Sequence, residues 1–410
     1  MIRSLFHFSF LLMGAYAQGA TYLVEGGTTF ALNALVQRAQ PTDTVRVRGK
    51  LSGPTIVVDR SLVLIGEEAE IVGDRSGSVI EVNASKVIIQ GFRISGTGRS
   101  SIEDHAGIKV TNGTDVHILN NTFDSCFFGV LINGCRSAWV KGNVLRGNSN
   151  EEVQEGNAIH IWKGDGVRID SNLCLGHRDG IYLEFVGNSL IRGNQVRGNA
   201  RYGLHFMFSN NDDYSGNWFE MNGAGVAVMY SKQIGMLGNT FKQNRGASAY
   251  GLLLKEINDA VIQDNVFLDN TTGMLVDGCN RVHAANNQFR SNGWALRLFS
   301  NSTGCRFEGN VFTGNTFDMS TNGELMLNDL TGNYWDRYSG YDLDRDGRGD
   351  TPYRPLGLFS LLVERMPYAV VFSRSLFVSL LDQAERLIPT LSPEAMKDDR
   401  PLMRPPQVDG

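Results

Sequence analysis

Seven residues in the middle of this chain have the types and spacing of a site: His160, Trp162, Tyr182, Glu184, His205, Met207 and Met229. In each pair, such as His205 and Met207, the partners are two residues apart, the spacing that puts both side chains on one face of a β-strand. Imidazole and thioether together form a soft ligand set that suits Cu(I), whereas calcium and magnesium call for oxygen. His205, Met207 and Met229 are therefore read as a candidate copper site, with His160 and Glu184 as further candidate ligands. The competing reading is that the two Met and the aromatics only pack under a loop or another protein. A second set, Asp342, Asp344, Asp346 and Asp350 around Gly347 and Gly349, has the alternating carboxylates and sharp turn that open a calcium loop. Position 12 of that loop is Tyr353, so the usual bidentate glutamate is missing, and the alternative is a polar turn stapling the end of the fold.

What positions these residues is an asparagine that recurs about every 22 residues, from Asn121, Asn143, Asn172, Asn194 and Asn217 to Asn239, Asn265, Asn287, Asn310 and Asn333. An apolar residue follows two positions later (Phe219, Phe241, Phe267, Phe289, Phe312), and often a second asparagine five positions later (Asn199, Asn222, Asn244, Asn270). Next comes a small-apolar-any-apolar strand, as in Gly203-Leu-His-Phe and Gly225-Val-Ala-Val. Units this short cannot bury their own apolar face and must stack. The pattern predicts an all-β chain folded as a right-handed parallel β-helix of about ten or more rungs, with asparagine ladders at its corners. His177 takes the place of a second asparagine and reads as a ladder hydrogen-bonder.

The period slips twice in the same corner, around Ser149–Gly156 and Arg245–Ser248, so two loops are expected to project from one edge and bracket the His, Met and aromatic patch. Phe30–Val36 reads as a short helix covering the first rung. The segment 356–410 begins with apolar helical pattern, too short and too interrupted to span a bilayer, and is read as a cap or as a docking element for a membrane partner. The expected division is thus 1–17, 18–355 with the Asp-rich loop at 342–350, and 356–410.

The first 17 residues have a charged start, a short apolar run and Ala15-Tyr16-Ala17, the pattern of a secretory signal. A net charge of -5 argues against a nucleic-acid binder. The five cysteines show no metal-ligand spacing, and Cys135 and Cys279 fall six rungs apart, so they read as buried small residues. A carbohydrate-active enzyme is the rival class on such a scaffold, but Glu184 with Lys255, or Asp179 with Asp212 and Asp213, makes a poor carboxylate pair.

The runs Gly176-His-Arg-Asp-Gly-Ile-Tyr-Leu-Glu-Phe, Arg201-Tyr-Gly-Leu-His-Phe-Met-Phe-Ser-Asn and Gly223-Ala-Gly-Val-Ala-Val-Met-Tyr-Ser, with Gly332-Asn-Tyr-Trp-Asp-Arg-Tyr near the end, closely resemble the NosD family. The resemblance extends over about residues 20 to 405. It implies a non-enzymatic periplasmic accessory protein of nitrous oxide reductase maturation, assisting assembly of a copper-sulfide centre. It also implies partners: the permease and ATPase of an ABC transporter, a copper chaperone lipoprotein and the reductase apoprotein. The chain would then sit at the inner membrane through its transporter. A purely structural adaptor between transporter and client, handling no metal, fits the same resemblance.

Overall fold

The computed structural model describes residues 19–100, 102–148, 156–323, 327–373, 375–388 and 396–406. The proposed signal segment and the tip of the first insertion lie outside the described residues. The chain winds into a right-handed parallel β-solenoid of about 13 turns. One face is a twelve-stranded parallel sheet; the other two faces form a single 24-stranded sheet that bends at the main asparagine column. A representative turn runs through Tyr202–Met207 on the first face, then Asp212–Ser215 and Trp218–Glu220 on the other two. At the ordinary inter-strand spacing the rod is roughly 60 Å long.

Two inner columns hold the coil together. Phe219, Phe241, Phe267, Phe289, Phe312 and Trp335 stack nearly parallel, with centroid spacings of 5.5, 4.7, 4.7, 4.8 and 4.1 Å. Beside them the buried asparagines form a ladder: the backbone N–H and side-chain amide of Asn194 both donate to Asn217 Oδ1, at 3.0 and 2.9 Å. Asn217 repeats the arrangement toward Asn239, at 3.0 Å for both bonds. Each amide also donates to a backbone carbonyl that the corner would otherwise orphan, as Asn217 does to Ile191 O at 2.9 Å. The small residue before each strand of the twelve-stranded sheet is explained by close approach: a Cβ on Gly203 would stand 2.7 Å from Gly225 O.

His177 departs from its expected role. Its backbone N–H joins the second ladder through Asn199 Oδ1 at 3.0 Å, but both ring nitrogens are buried with no partner. One turn earlier the position in the same register, Asn148, is exposed. Burial pushes its pKa down to about 3.

Helix α1, Thr29–Val36, closes the first turn with Leu32 and Val36 fully buried. At the far end, α2 (Leu358–Arg365) packs Phe359 against Phe317, and its Glu364 Oε1 accepts from Arg297 Nη2 at 2.5 Å. A 3-10 turn over Pro367–Phe372 leads to α3 (Leu376–Leu387). No helix among the described residues is long and apolar enough to cross a membrane. Residues 396–406, which the sequence grouped with the helical segment, run back along the last turn, where Leu402 bridges Tyr334 and Arg348. The five cysteines are all buried, and Cys174 lies in the inner column between Leu145 and Val196.

Candidate functional site

On the outer side of the twelve-stranded sheet the register brings the singled-out residues into two columns. One runs Leu131, His160, Tyr182, His205, Ala227, Leu253; the other runs Asn133, Trp162, Glu184, Met207, Met229, Lys255. Met207 and Met229 are direct neighbours on adjacent turns, and His205 lies beside Met207 one column over. His160 is separated from His205 by the ring of Tyr182, which meets both edge-on at 4.7 and 4.9 Å between centroids. Glu184 is the neighbour of Met207 and accepts from the Tyr182 hydroxyl at 3.2 Å.

His205 is the most constrained of the set. Its ring is held between Tyr182 and Tyr202, the latter 4.7 Å away, and only 6% of the residue is exposed. Neither ring nitrogen has a hydrogen-bond partner. Burial lowers its pKa to about 4, with the charges of Arg201 and Arg178 pushing the same way and Asp179 opposing. The imidazole is thus neutral at pH 7, with a free lone pair. A buried orphan of this kind is uncommon and calls for an explanation in function. His160 is likewise pushed down to about 4 by burial, and its Nδ1 lies 3.4 Å from the Asn157 amide.

Beneath the patch is an ion pair that sequence reading missed. Asp179, fully buried, accepts from Arg201 Nε at 2.9 Å and Nη2 at 2.5 Å and from Tyr202 N at 3.2 Å. The guanidinium in turn lies 4.9 Å from the Tyr202 ring, fixing the wall against which His205 rests. The signal was in the register: Asp179 and Tyr202 are partners at the strand starts, one residue before Gly180 and Gly203.

The second insertion, Arg245–Ser248, is exposed throughout, with Arg245 Nε donating to Asp269 O at 2.9 Å. Just beyond it the chain turns inward, so that Tyr250 packs with Ala224, Ala227 and Leu253, with Tyr202 and Met229 against them. An apolar surface was available, and burying Tyr250 on it outweighs solvation. The other end of the strands carries an unforeseen exposed row. Phe185, Phe208 and Tyr230 stack at 5.2 Å spacings, directly after Glu184, Met207 and Met229. All three have left-handed backbones, with φ of 54, 51 and 54°, a conformation that costs bulky residues of order 1 kcal/mol each.

The rival carboxylate pairs are not assembled. Glu184 and Lys255 share a column but have Met207 and Met229 between them. Asp179 starts a strand of the twelve-stranded sheet, whereas Asp212 and Asp213 start one of the other sheet. In the Asp-rich loop, Asp342, Asp344 and Asp346 can bring one carboxylate oxygen each within 4.8 Å of the others. Asp350 lies outside that group and accepts from Leu343 N at 2.7 Å, while Asp346 pairs with Arg400 of the returning tail at 2.5 Å.

Residues 149–340, which hold the whole patch, match the family model described as periplasmic copper-binding protein (NosD). Over that span the chain is similar to the NosD proteins. Residues 52–174 match the model of a right-handed β-helix region. Two relatives, from Pseudomonas aeruginosa and Stutzerimonas stutzeri, are each named a probable ABC transporter binding protein NosD. Both are 27% identical; the first match covers 92% of this chain and 94% of the relative, the second 82% and 81%. Among solved structures, the Streptococcus pneumoniae adhesin PfbA aligns with a TM-score of 0.56 at 14% identity, covering 72% of this chain and 88% of that one. A GH87 α-1,3-glucanase catalytic domain aligns at 0.60 and 11% identity, covering 78% and 70%. These structural likenesses speak for the solenoid alone, which serves adhesins and enzymes as well as NosD proteins.

Proposed function

We propose that this chain is a NosD-type periplasmic accessory protein that receives and passes Cu(I) during maturation of nitrous oxide reductase, in company with an ABC transporter. The observation that carries this reading is the neutral His205 ring, with no partner at either nitrogen, beside the paired thioethers of Met207 and Met229. Copper is cargo here, and a set of two soft sulfurs and one imidazole suits capture and release of Cu(I). Glu184 and His160, at the edges of the patch, are candidates for a second position or a transfer step. The printed description of the NosD model as copper-binding and the naming of the relatives for an ABC transporter support the same reading.

Partner docking falls to the C-terminal helices. Their outer side exposes Met366, Tyr368, Val371, Phe372, Leu376 and Phe377, an apolar patch rarely left bare on a monomer. The permease is the partner this patch would meet, and the chaperone and reductase would then approach along the rod. The Asp-rich loop would add a structural calcium held by Asp342, Asp344 and Asp346, tested by melting with and without chelator.

Titration of the purified chain with Cu(I), against a Met207→Ala/Met229→Ala double variant, tests the copper reading. Loss of at least tenfold in affinity is expected, and equal affinity would sink the proposed pair. An adaptor that handles no metal predicts no Cu(I) binding in either protein, but loss of the transporter complex when residues 356–388 are deleted.

A further inference from the structure

Between the last turns of the solenoid and the two C-terminal helices is a cleft of about 250 Å³, lined by residues that include Phe317, Asp318, Arg337, Phe359, Ser360 and Val378. We propose that this cleft is a binding site for a primary ammonium group on a short aliphatic arm, independent of any copper chemistry.

Asp318 carries the argument. It is 2% exposed; its Oδ2 accepts from the Tyr353 hydroxyl at 3.1 Å, while Oδ1 has no partner. A buried carboxylate oxygen without a donor is costly to maintain, so the cleft is incomplete as it stands. Arg337 lines the same cleft but does not neutralise the carboxylate by contact. Its Nη2 is committed to the carbonyls of Asn315 and Thr316 at 2.9 and 3.0 Å. Asp336 acts on Asp318 in the opposite sense to Arg337, and the Asn315 amide lies beside the carboxyl. Glu385 on α3 adds a further carboxylate against Gly357 of the lining, where its Oε1 accepts from Leu358 N at 2.6 Å; negative groups thus outnumber Arg337, and a cation is the ligand that restores balance.

The rest of the lining selects the arm. Phe317, Phe359 and Val378 offer apolar walls, all three buried. An ammonium can donate to Asp318 Oδ1 while three or four methylenes lie against these walls. The volume suits a ligand the size of one side chain rather than a drug-sized one. Either a free alkylamine or the lysine of another protein supplies this chemistry.

The test uses the full mature chain and n-butylammonium as probe, followed by NMR shifts or calorimetry, with n-butanol as the neutral isostere. Saturable binding is expected, at least tenfold tighter for the amine than for the alcohol and weakened about tenfold by Asp318→Asn. Binding should also fall below pH 6, because burial raises the Asp318 carboxyl to about 6 and protonation removes the charge. An acetylated Gly-Lys-Gly amide forms the second arm: binding by the peptide identifies a protein side chain as the source, and binding by the free amine alone a small molecule. Equal binding of amine and alcohol, no binding of either probe, or an unchanged affinity in Asp318→Asn overturns the proposal. If Asp318→Asn unfolds, the amine-to-alcohol comparison on the unaltered chain still decides.

Discussion

Asp398 takes the place of the next asparagine after Asn333: its Oδ2 accepts from the Asn333 backbone N–H at 2.8 Å, as each ladder amide does from the one before. The same carboxylate accepts from Gly332 N at 2.9 Å, Trp335 Nε1 at 3.0 Å and Arg400 N at 3.1 Å. Replacing Asp398 by Ala strands these buried donors. A loss of about 3–5 kcal/mol is expected from the desolvation of unpaired donors, read as a lower urea midpoint. Asp398→Asn should cost much less, because the amide oxygen can still accept.

Inside the ladder the penalty should be local. Asn217→Ala removes the acceptor of both Asn194 donors and the donor to Ile191 O, at a cost of about 2–4 kcal/mol. Solenoid turns contact only their neighbours. Hydrogen exchange should therefore accelerate in the adjoining turns and stay unchanged around Asn310; a uniform acceleration along the rod would contradict the ladder's role.

His177 gives the molecule an acid-labile point. Its folded pKa, about 3, lies below the unfolded value of 6.5, chiefly through burial, with Arg99 adding repulsion. Below pH 6.5 the unfolded chain takes up a proton that the folded chain refuses, so stability contributed by the neutral ring is lost as pH falls from 6.5 toward 3. His177→Asn should flatten the fall of melting temperature with pH over that window. Parallel curves for the two proteins would refute this.

The exposed row tests whether Phe208 serves folding. Its ring stacks on Phe185 and Tyr230, worth about 0.5–1.5 kcal/mol for each of the two aromatic contacts. Its left-handed backbone costs about 1 kcal/mol, and Asn bears that conformation more easily. Phe208→Asn should then lower stability by no more than about 2 kcal/mol in thermal or urea unfolding. A larger loss would make the row part of the scaffold.

The C-terminal helices bear on the solenoid through the Phe317–Phe359 contact and the Arg297–Glu364 pair. Glu364→Gln weakens the Arg297 pair that fixes α2, and α2 should show faster amide exchange while the sheet strands do not. Unchanged protection of α2 would mean that the Phe317–Phe359 contact suffices.

The period of the sequence made the fold legible, because asparagine and the apolar residue two positions later each serve one geometric purpose in every turn. The pairing of Met207 with Met229 followed from that register alone. Contacts across the corner did not follow. Tyr250 folding onto Ala227, and Arg201 reaching back to Asp179, depend on loop path and side-chain reach, which no periodicity encodes. His177 misled for the same reason: it shares the register of the ladder but not the width or bonding geometry of an amide. The return of Asp398 was hidden because it lies 65 residues from Asn333.

Every asparagine in the main ladder from Asn121 to Asn310 presents its backbone N–H to the next one toward the C-terminal end, and Asn333 presents its own to Asp398. Such a column sums small dipoles as a helix does and leaves its positive end at the last turn. An anionic residue stands there in Asp398. The rod is therefore electrically directional, and the end that bears the apolar helices is also the end where its aligned amides are answered by a negative charge.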